Sequence, residues 1–208
     1  MSRTQRLTVV LALNLALVAG LVAVGITAHS LAVLAEGTDY LLDAAGAGVA
    51  LLAIRLSARP ASRGRPAGYP NASRIAALIN AGWLLLLELL VAAAAADRLT
   101  MGTSAVDGLP VLVISGIAAL VMAAGAVILR GDAGYRAKQP GERDPSVTAV
   151  LLDTVADAAA AAGVAATGGI ILATGGFYWL DPAVALLIAV VVAYHAAALI
   201  RRVLTGQG

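Results

Sequence analysis

Two pairs of aspartates stand at the same spacing in stretches of the chain that are otherwise apolar. One pair is Asp39 and Asp43, and the other is Asp153 and Asp157. In an α-helix, residues four positions apart lie on one face about one turn from each other, so each pair would present two carboxylates side by side. Like charges at this spacing repel each other, but together they offer the oxygen ligands that divalent cations prefer. Both pairs therefore predict cation binding.

The rest of the composition restricts this chemistry to oxygen ligands. The chain has no cysteine and 2 histidines, which excludes disulfides, thiolate metal sites and thiol catalysis and leaves little material for an imidazole cluster. Neither the HExxH pattern of zinc hydrolases nor the GxSxG pattern of serine hydrolases occurs. The sequence thus predicts neither an enzyme nor a prosthetic group.

Six long apolar segments must position these residues. Hydrophobic residues make up 61% of the 208 residues and charged residues 12%, against about 45–50% and about 25% in soluble domains. A membrane-spanning helix needs about 20 apolar residues. We predict an all-α integral membrane protein, a single transmembrane domain with six helices at about residues 7–28, 31–56, 74–97, 108–130, 146–174 and 182–203.

The basic residues predict the orientation of these helices. With six spans, every Lys and Arg except Arg98 falls on one side of the membrane, and such residues accumulate in cytoplasmic loops. Both termini are therefore predicted to be cytoplasmic, and the expected location is a prokaryotic inner membrane. The net charge of +2 then reflects topology, so the expected partner is the lipid bilayer and not a nucleic acid.

The aspartate pairs lie where charge is expensive. An aspartate costs about 2.5–3.5 kcal/mol at the centre of a membrane helix, and no basic residue of the sequence lies at the depth of the pairs. A structural ion pair would need such a residue. The natural counter-charge is therefore a cation from outside the chain.

The depths of the two pairs agree. Asp39 comes eight residues after the outer face and Asp153 eight residues after the inner face, roughly 12 Å in each case. Because the two spans are antiparallel in a core about 30 Å thick, we expect Asp39 level with Asp157 and Asp43 level with Asp153. Small residues near both pairs would let the two helices approach closely: Ala44, Gly46, Ala47, Ala50, Ala156, Ala160, Ala161 and Gly163.

Several motifs resemble, in the same order, those of the cation diffusion facilitator transporters. They are AEGTDYLLD at 35–43, Arg59-Pro60, Gly68-Tyr69 and the segment 74–80, then LDTVAD at 152–157 and YWLDP at 178–182. The resemblance implies export of divalent transition metals from the cytoplasm, usually in exchange for protons, through a four-ligand site formed by the second and fifth spans. Carried over by position, the metal ligands are Asp39, Asp43, Asp153 and Asp157.

The chain departs from the family pattern in two ways. Zinc transporters of the family commonly have histidine at the first position of one or both pairs, where this chain has Asp39 and Asp153. Carboxylates alone favour Mn²⁺, so we expect Mn²⁺ rather than Zn²⁺ or Fe²⁺ as the transported substrate. Many members also continue after the sixth span into a cytoplasmic metal-binding domain, but this sequence ends soon after Arg201. We expect a form without that domain, in which any homodimer forms through the helices.

The acids also suggest how transport is driven. Four carboxylates a few ångströms apart cannot all be ionised in a dehydrated site, so some should hold protons until a metal ion displaces them. This predicts metal/proton antiport. Glu88 in the third span and Glu36 near the outer mouth are candidate proton or cation relays. Asp181 and Pro182 are predicted to be the N-cap and first-turn proline of the sixth helix.

Other functions could use the same carboxylates. A passive divalent-cation channel would arrange them as a selectivity ring, and an intramembrane metalloenzyme would use them to hold a catalytic ion. Two facing pairs in one chain favour a single chelating site over a pore, and no further base or nucleophile accompanies the acids. A structural membrane subunit would leave the buried acids unexplained. Antiport is therefore the preferred interpretation.

Overall fold

The computed structural model describes the backbone of residues 3–57, 72–136 and 145–205. Within these ranges, the description leaves out the side chains of residues 3–14, 43, 47, 48, 50–57, 72, 73, 128, 129, 131–136, 145–151 and 153. All regular structure in the described ranges is helical, which confirms the predicted all-α class with six helices. They are α1 (Arg3–Thr27), α2 (Leu31–Ser57), α3 (Ala72–Met101), α4 (Gly108–Arg136), α5 (Pro145–Thr174) and α6 (Leu180–Thr205).

Several of these helices are membrane spans. Four segments with described side chains are long and apolar enough to cross a bilayer: Arg74–Met101, Gly108–Val127, Thr154–Thr174 and Leu180–Thr205. A shorter apolar segment, Leu15–Thr27, lies in α1. The chain is thus a multi-pass membrane protein. The side of the membrane on which its termini lie stays a prediction.

The helix pairs with the most extensive contacts are antiparallel. The most extensive contacts join α4 to α5 and α3 to α6, and α2 contacts α1, α3, α5 and α6. The α4–α5 pair is in close contact near the start of α4, where a Cβ atom on Gly168 would lie 2.6 Å from the Leu112 nitrogen and 2.9 Å from the Gly108 oxygen. Only glycine fits there, which is how small residues bring membrane helices into backbone contact.

The predicted role of Asp181 as the N-cap of the sixth helix is wrong. Its side chain instead caps α2: one carboxylate oxygen accepts from the Leu31 amide at 2.8 Å, and the other accepts from the Ala32 amide at 3.3 Å and from the Ser30 hydroxyl. Ser30 in turn accepts from the Val33 amide at 3.1 Å. The first three amides of α2 therefore all have acceptors, which a helix N-terminus otherwise lacks.

The start of α6 has no need of the Asp181 carboxylate. Its first amides donate to main-chain carbonyls of the preceding aromatic turn, Leu180 to Phe177 at 2.9 Å and Ala183 to Trp179 at 3.1 Å. Phe177 takes a left-handed conformation, with φ of 59°, to close this turn. The Asp181 side chain is therefore available to cap α2. The sequence motif alone did not indicate this contact.

Candidate functional site

The two described aspartates of the predicted site lie on helices that touch. Asp39 is in α2 and Asp157 is in α5, both are half-buried, and the two helices contact each other. The side chains of Asp43 and Asp153 lie outside the described residues. The structure thus brings together the helices of the two pairs, while the four-carboxylate site itself stays a prediction.

The depths of residues in α2 and α5 can be compared through α4, because α4 contacts both helices. On α5, Gly168 lies between Gly108 and Leu112 of α4, and on α2, Glu36 accepts a hydrogen bond from Ser115 of α4 at 2.7 Å. Counting along the antiparallel pair at 1.5 Å per residue, Ser115 is level with about residue 163 of α5.

The depth of the first aspartate follows from that count. Asp39 is three residues deeper than Glu36, which places it level with about residue 160 of α5. Asp157 is then within about one helical turn of Asp39 along the bundle axis. A single cation can be approached from both helices at that separation in depth.

Two of the small residues expected to bring α2 and α5 together, Gly46 and Gly163, do not make that contact. A Cβ atom on Gly46 would lie 2.6 Å from the side-chain nitrogen of Asn80, so this glycine admits a polar side chain of α3 and not the backbone of α5. Around Gly163, no atom of the described residues lies within 4 Å of the Cβ position. The close α5 contact is made by Gly168 with α4 instead.

Few side chains that could bind a metal ion lie close together among the described residues. In that part of the chain, no three His, Cys, Asp or Glu side chains lie close enough to hold a metal ion together. A divalent transition metal takes at least four ligands. The described side chains alone therefore do not supply a full coordination shell, and the assignment of Asp43 and Asp153 as the remaining ligands stays a prediction.

Glu36 is buried between helices α2 and α4. It is 2% exposed, and its Oε2 accepts the hydrogen bond from the Ser115 hydroxyl. Its Oε1 has no hydrogen-bond partner among the described residues. Ser115 was missed by sequence reasoning, since a lone serine in an apolar span gives no signal of its own.

Glu88 is the most isolated acid of the described chain. It lies in α3 with 0% exposure, and neither of its carboxylate oxygens has a hydrogen-bond partner among the described residues. Its burial in α3 agrees with the predicted position in the third span. Its role as a relay stays a prediction.

Arg98, the lone basic residue of the predicted outer side, has a structural partner. Its guanidinium donates to the His29 carbonyl at 2.6 Å and lies 4.0 Å from the Asp181 carboxylate. It thereby joins the end of α3 to the α1–α2 turn and the start of α6. Its isolation from the other arginines was the sequence signal that could have predicted this role.

Comparison with known proteins gives two matches. The family model of the cation efflux transmembrane domain matches residues 7–205. A human protein described as the proton-coupled zinc antiporter SLC30A2 is 28% identical over 156 residues, which is 74% of this chain and 42% of that protein. The chain thus spans less than half the length of this relative.

Proposed function

This chain belongs to the cation efflux family, and on that premise we propose that it exports divalent transition-metal cations across a membrane in exchange for protons. The observation that carries the proposal is the contact between α2 and α5, each of which bears an Asp-x-x-x-Asp pair. The similar depth of Asp39 and Asp157 supports a common cation between them. The human relative described as a proton-coupled zinc antiporter supports the same reaction class.

The metal ligands in this proposal are Asp39, Asp43, Asp153 and Asp157. Four carboxylates form a hard oxygen site, which favours Mn²⁺ over Zn²⁺ and Fe²⁺ relative to a site that contains histidine. Zinc still binds such a site because affinity follows the Irving–Williams order. The proposed physiological substrate is therefore Mn²⁺, with Zn²⁺ and Fe²⁺ as competitors.

Proton exchange follows from the same four groups. Without metal, mutual repulsion in a dehydrated site keeps some of the carboxyl groups protonated. An entering divalent cation displaces these protons, and protons arriving from the other side displace the cation again. Rocking of one group of helices against another would expose the site to the two sides in turn.

Glu36 has an accessory place in this proposal. It lies in α2, outward of Asp39, with one carboxylate oxygen held by Ser115 and the other without a partner among the described residues. In its ionised form, Glu36 attracts cations toward the site without supplying a ligand.

Transport by the purified chain in proteoliposomes tests the proposal. We expect Mn²⁺ flux that saturates and that increases when a pH gradient is imposed. Asp43→Asn and Asp157→Asn should each lower the flux by at least about tenfold, because each removes a charged ligand. Asp97→Asn, a matched change at an exposed acid of α3, should leave it unchanged.

Two results would contradict the proposal. Flux that ignores the pH gradient and does not saturate would favour a passive channel. Parental flux in Asp43→Asn or Asp157→Asn would remove the aspartate pairs from the transport site.

A further inference from the structure

Glu88 is a buried acid that the proposed metal site does not use. It is fully buried near the middle of α3, and both of its oxygens lack a hydrogen-bond partner among the described residues. Isolated charge in a membrane interior is costly, and acids found there face functional pathways more often than they serve packing. The position of Glu88 in the bundle indicates which function it serves.

The α6 side of Glu88 is apolar. Arg74 donates to the Leu204 carbonyl at 3.4 Å at one end of the α3–α6 pair, and Arg98 lies 4.0 Å from Asp181 at the other. These two contacts fix an antiparallel register in which Glu88 is level with about Val190.

No ionisable residue of α6 stands at that level. The buried residues of α6 nearest to it are Ile188 and Ala189. Tyr194 and His195, the next titratable residues inward, are both exposed, and their rings contact each other edge-on at 5.8 Å. Helix α6 therefore offers Glu88 no counter-charge.

The α2 side of Glu88 is at the depth of the metal site. Asn80 of α3 contacts Gly46 of α2, and α2 and α3 are antiparallel. Glu88 is eight residues further along α3, so it is level with about Thr38 and Asp39 on α2. Near this level, α2 carries the titratable residues Glu36, Asp39 and Tyr40 among its described side chains. Glu88 is thus at the depth of the proposed metal site, on a different helix.

A proton fits this position better than a metal ion. A divalent metal needs several oxygen or nitrogen ligands, and the described residues contain no group of three that could hold one. A carboxyl group binds a proton by itself, and the neutral acid is the form that an apolar interior tolerates.

We propose that Glu88 is a proton-binding site of the transport cycle, located on α3 and separate from the metal ligands. The inference rests on the proposed metal/proton antiport. The carboxylate forms an O–H bond with a proton from the outer solution, and that bond breaks when the proton is released to the cytoplasmic side. No electron transfer or co-reactant is involved.

The location of Glu88 gives a route for coupling. Helices α3 and α6 are held together at both ends. Glu88 lies on the face of α3 that is buried in the bundle, with the buried residues Ala81 and Ala95 about two turns before and after it. A shift of the α3–α6 pair relative to α2 would admit water to Glu88 from one side and then from the other. The movement that carries the metal would thereby carry a proton in the opposite direction.

The test compares Glu88→Gln with the parent chain and with Asp97→Asn in proteoliposomes that contain a pH-sensitive dye. Glutamine resembles the protonated acid in shape and cannot release a proton. We expect Glu88→Gln to bind Mn²⁺ within about twofold of the parental Kd and to retain Mn²⁺/Mn²⁺ exchange at equal pH. Its number of protons moved per metal ion should fall, and stimulation by a pH gradient should fall at least about fivefold. Asp97→Asn should match the parent.

Each outcome decides the inference. An unchanged proton-to-metal ratio in Glu88→Gln overturns it, as does a loss of Mn²⁺ affinity of about tenfold or more, which would make Glu88 a metal ligand. Should Glu88→Gln fail to give a monodisperse protein, Glu88→Asp must shift the pH profile of proton flux, and an unshifted profile overturns the inference. Absence of pH-driven transport in the parent chain would instead contradict the proposed antiport itself.

Discussion

Three buried acids of this protein differ in how completely their oxygens are satisfied. Asp181, at the end of the bundle where α2 and α6 begin, accepts from one hydroxyl and two amides and lies near Arg98. Glu36 accepts from Ser115 alone, and Glu88 has no hydrogen-bond partner among the described residues. A satisfied acid contributes to stability, whereas an unsatisfied one lowers it and persists for another reason. The contrast separates the network at the end of the bundle where α2 and α6 begin from the acids that lie deeper along the helices.

The largest effect is expected for Asp181, at the end of the bundle where α2 and α6 begin. Asp181→Ala should lower the free energy of unfolding by about 3–5 kcal/mol, because it leaves buried donors of α2 unpaired and Arg98 without its acid. Thermal and denaturant unfolding of the purified protein in detergent would measure the change. Asp107→Ala is the matched control: this exposed acid accepts from the Leu109 amide at 3.3 Å at the start of α4, and its loss should cost about 1 kcal/mol. Equal losses in both variants would contradict a special role for the buried network.

For Glu88, in the middle of α3, substitution is expected to raise the free energy of unfolding instead of lowering it. Glu88→Leu should raise the free energy of unfolding by about 1–2 kcal/mol, since it replaces an unpartnered buried acid by a side chain that packs in an apolar environment. The same unfolding measurements apply. Glu36→Leu is the comparison variant and should give little or no gain, because the Ser115 hydroxyl loses its acceptor. Destabilisation by Glu88→Leu would mean that Glu88 serves packing, and would remove the contrast between the two regions.

A smaller effect is expected from exchanging ligand types at the proposed metal site. Asp39→His combined with Asp153→His should raise the ratio of Zn²⁺ to Mn²⁺ transport by about tenfold, because imidazole favours the later metal. Competition between the two ions in proteoliposomes would measure the ratio. The unfolding free energy should change far less than in Asp181→Ala, since these residues serve binding. An unchanged ratio would argue against Asp39 and Asp153 as ligands.

Hydropathy was sufficient to predict the helices, because each membrane helix satisfies its own backbone hydrogen bonds and must be apolar along its length. The all-α class and the six helices were therefore predictable, although α3 and α4 continue past the predicted ends at 97 and 130 to Met101 and Arg136. Helical hydrogen bonding does not stop where the apolar segment stops. The spacing of the aspartates likewise indicated which helices should meet, and α2 and α5 do contact each other.

Contacts between helices were harder to predict. The sequence placed Asp181 at the start of α6 but could not indicate that it caps α2, about 150 residues earlier in the chain. It offered Gly46 and Gly163 as contact points for α2 and α5, whereas Gly46 accommodates Asn80 and the close contact of α5 is at Gly168. Small residues permit close approach on any face of a helix, so their presence does not identify the partner.

The sequence by itself determined the number of helices, the apolar environment and the positions of the two acid pairs that are proposed to face a cation. Those features follow from local periodicity and from the free energy of transferring charge into a membrane. Both can be evaluated from the sequence alone. Only the tertiary structure decided which acids are satisfied, because the partners of Asp181 and Glu36, and the burial of Glu88, come from helices far apart in the chain. Asp181, which stabilises the fold, differs from Glu88, which is proposed to carry a proton, in the groups that lie near it in space. The sequence pattern does not show those groups.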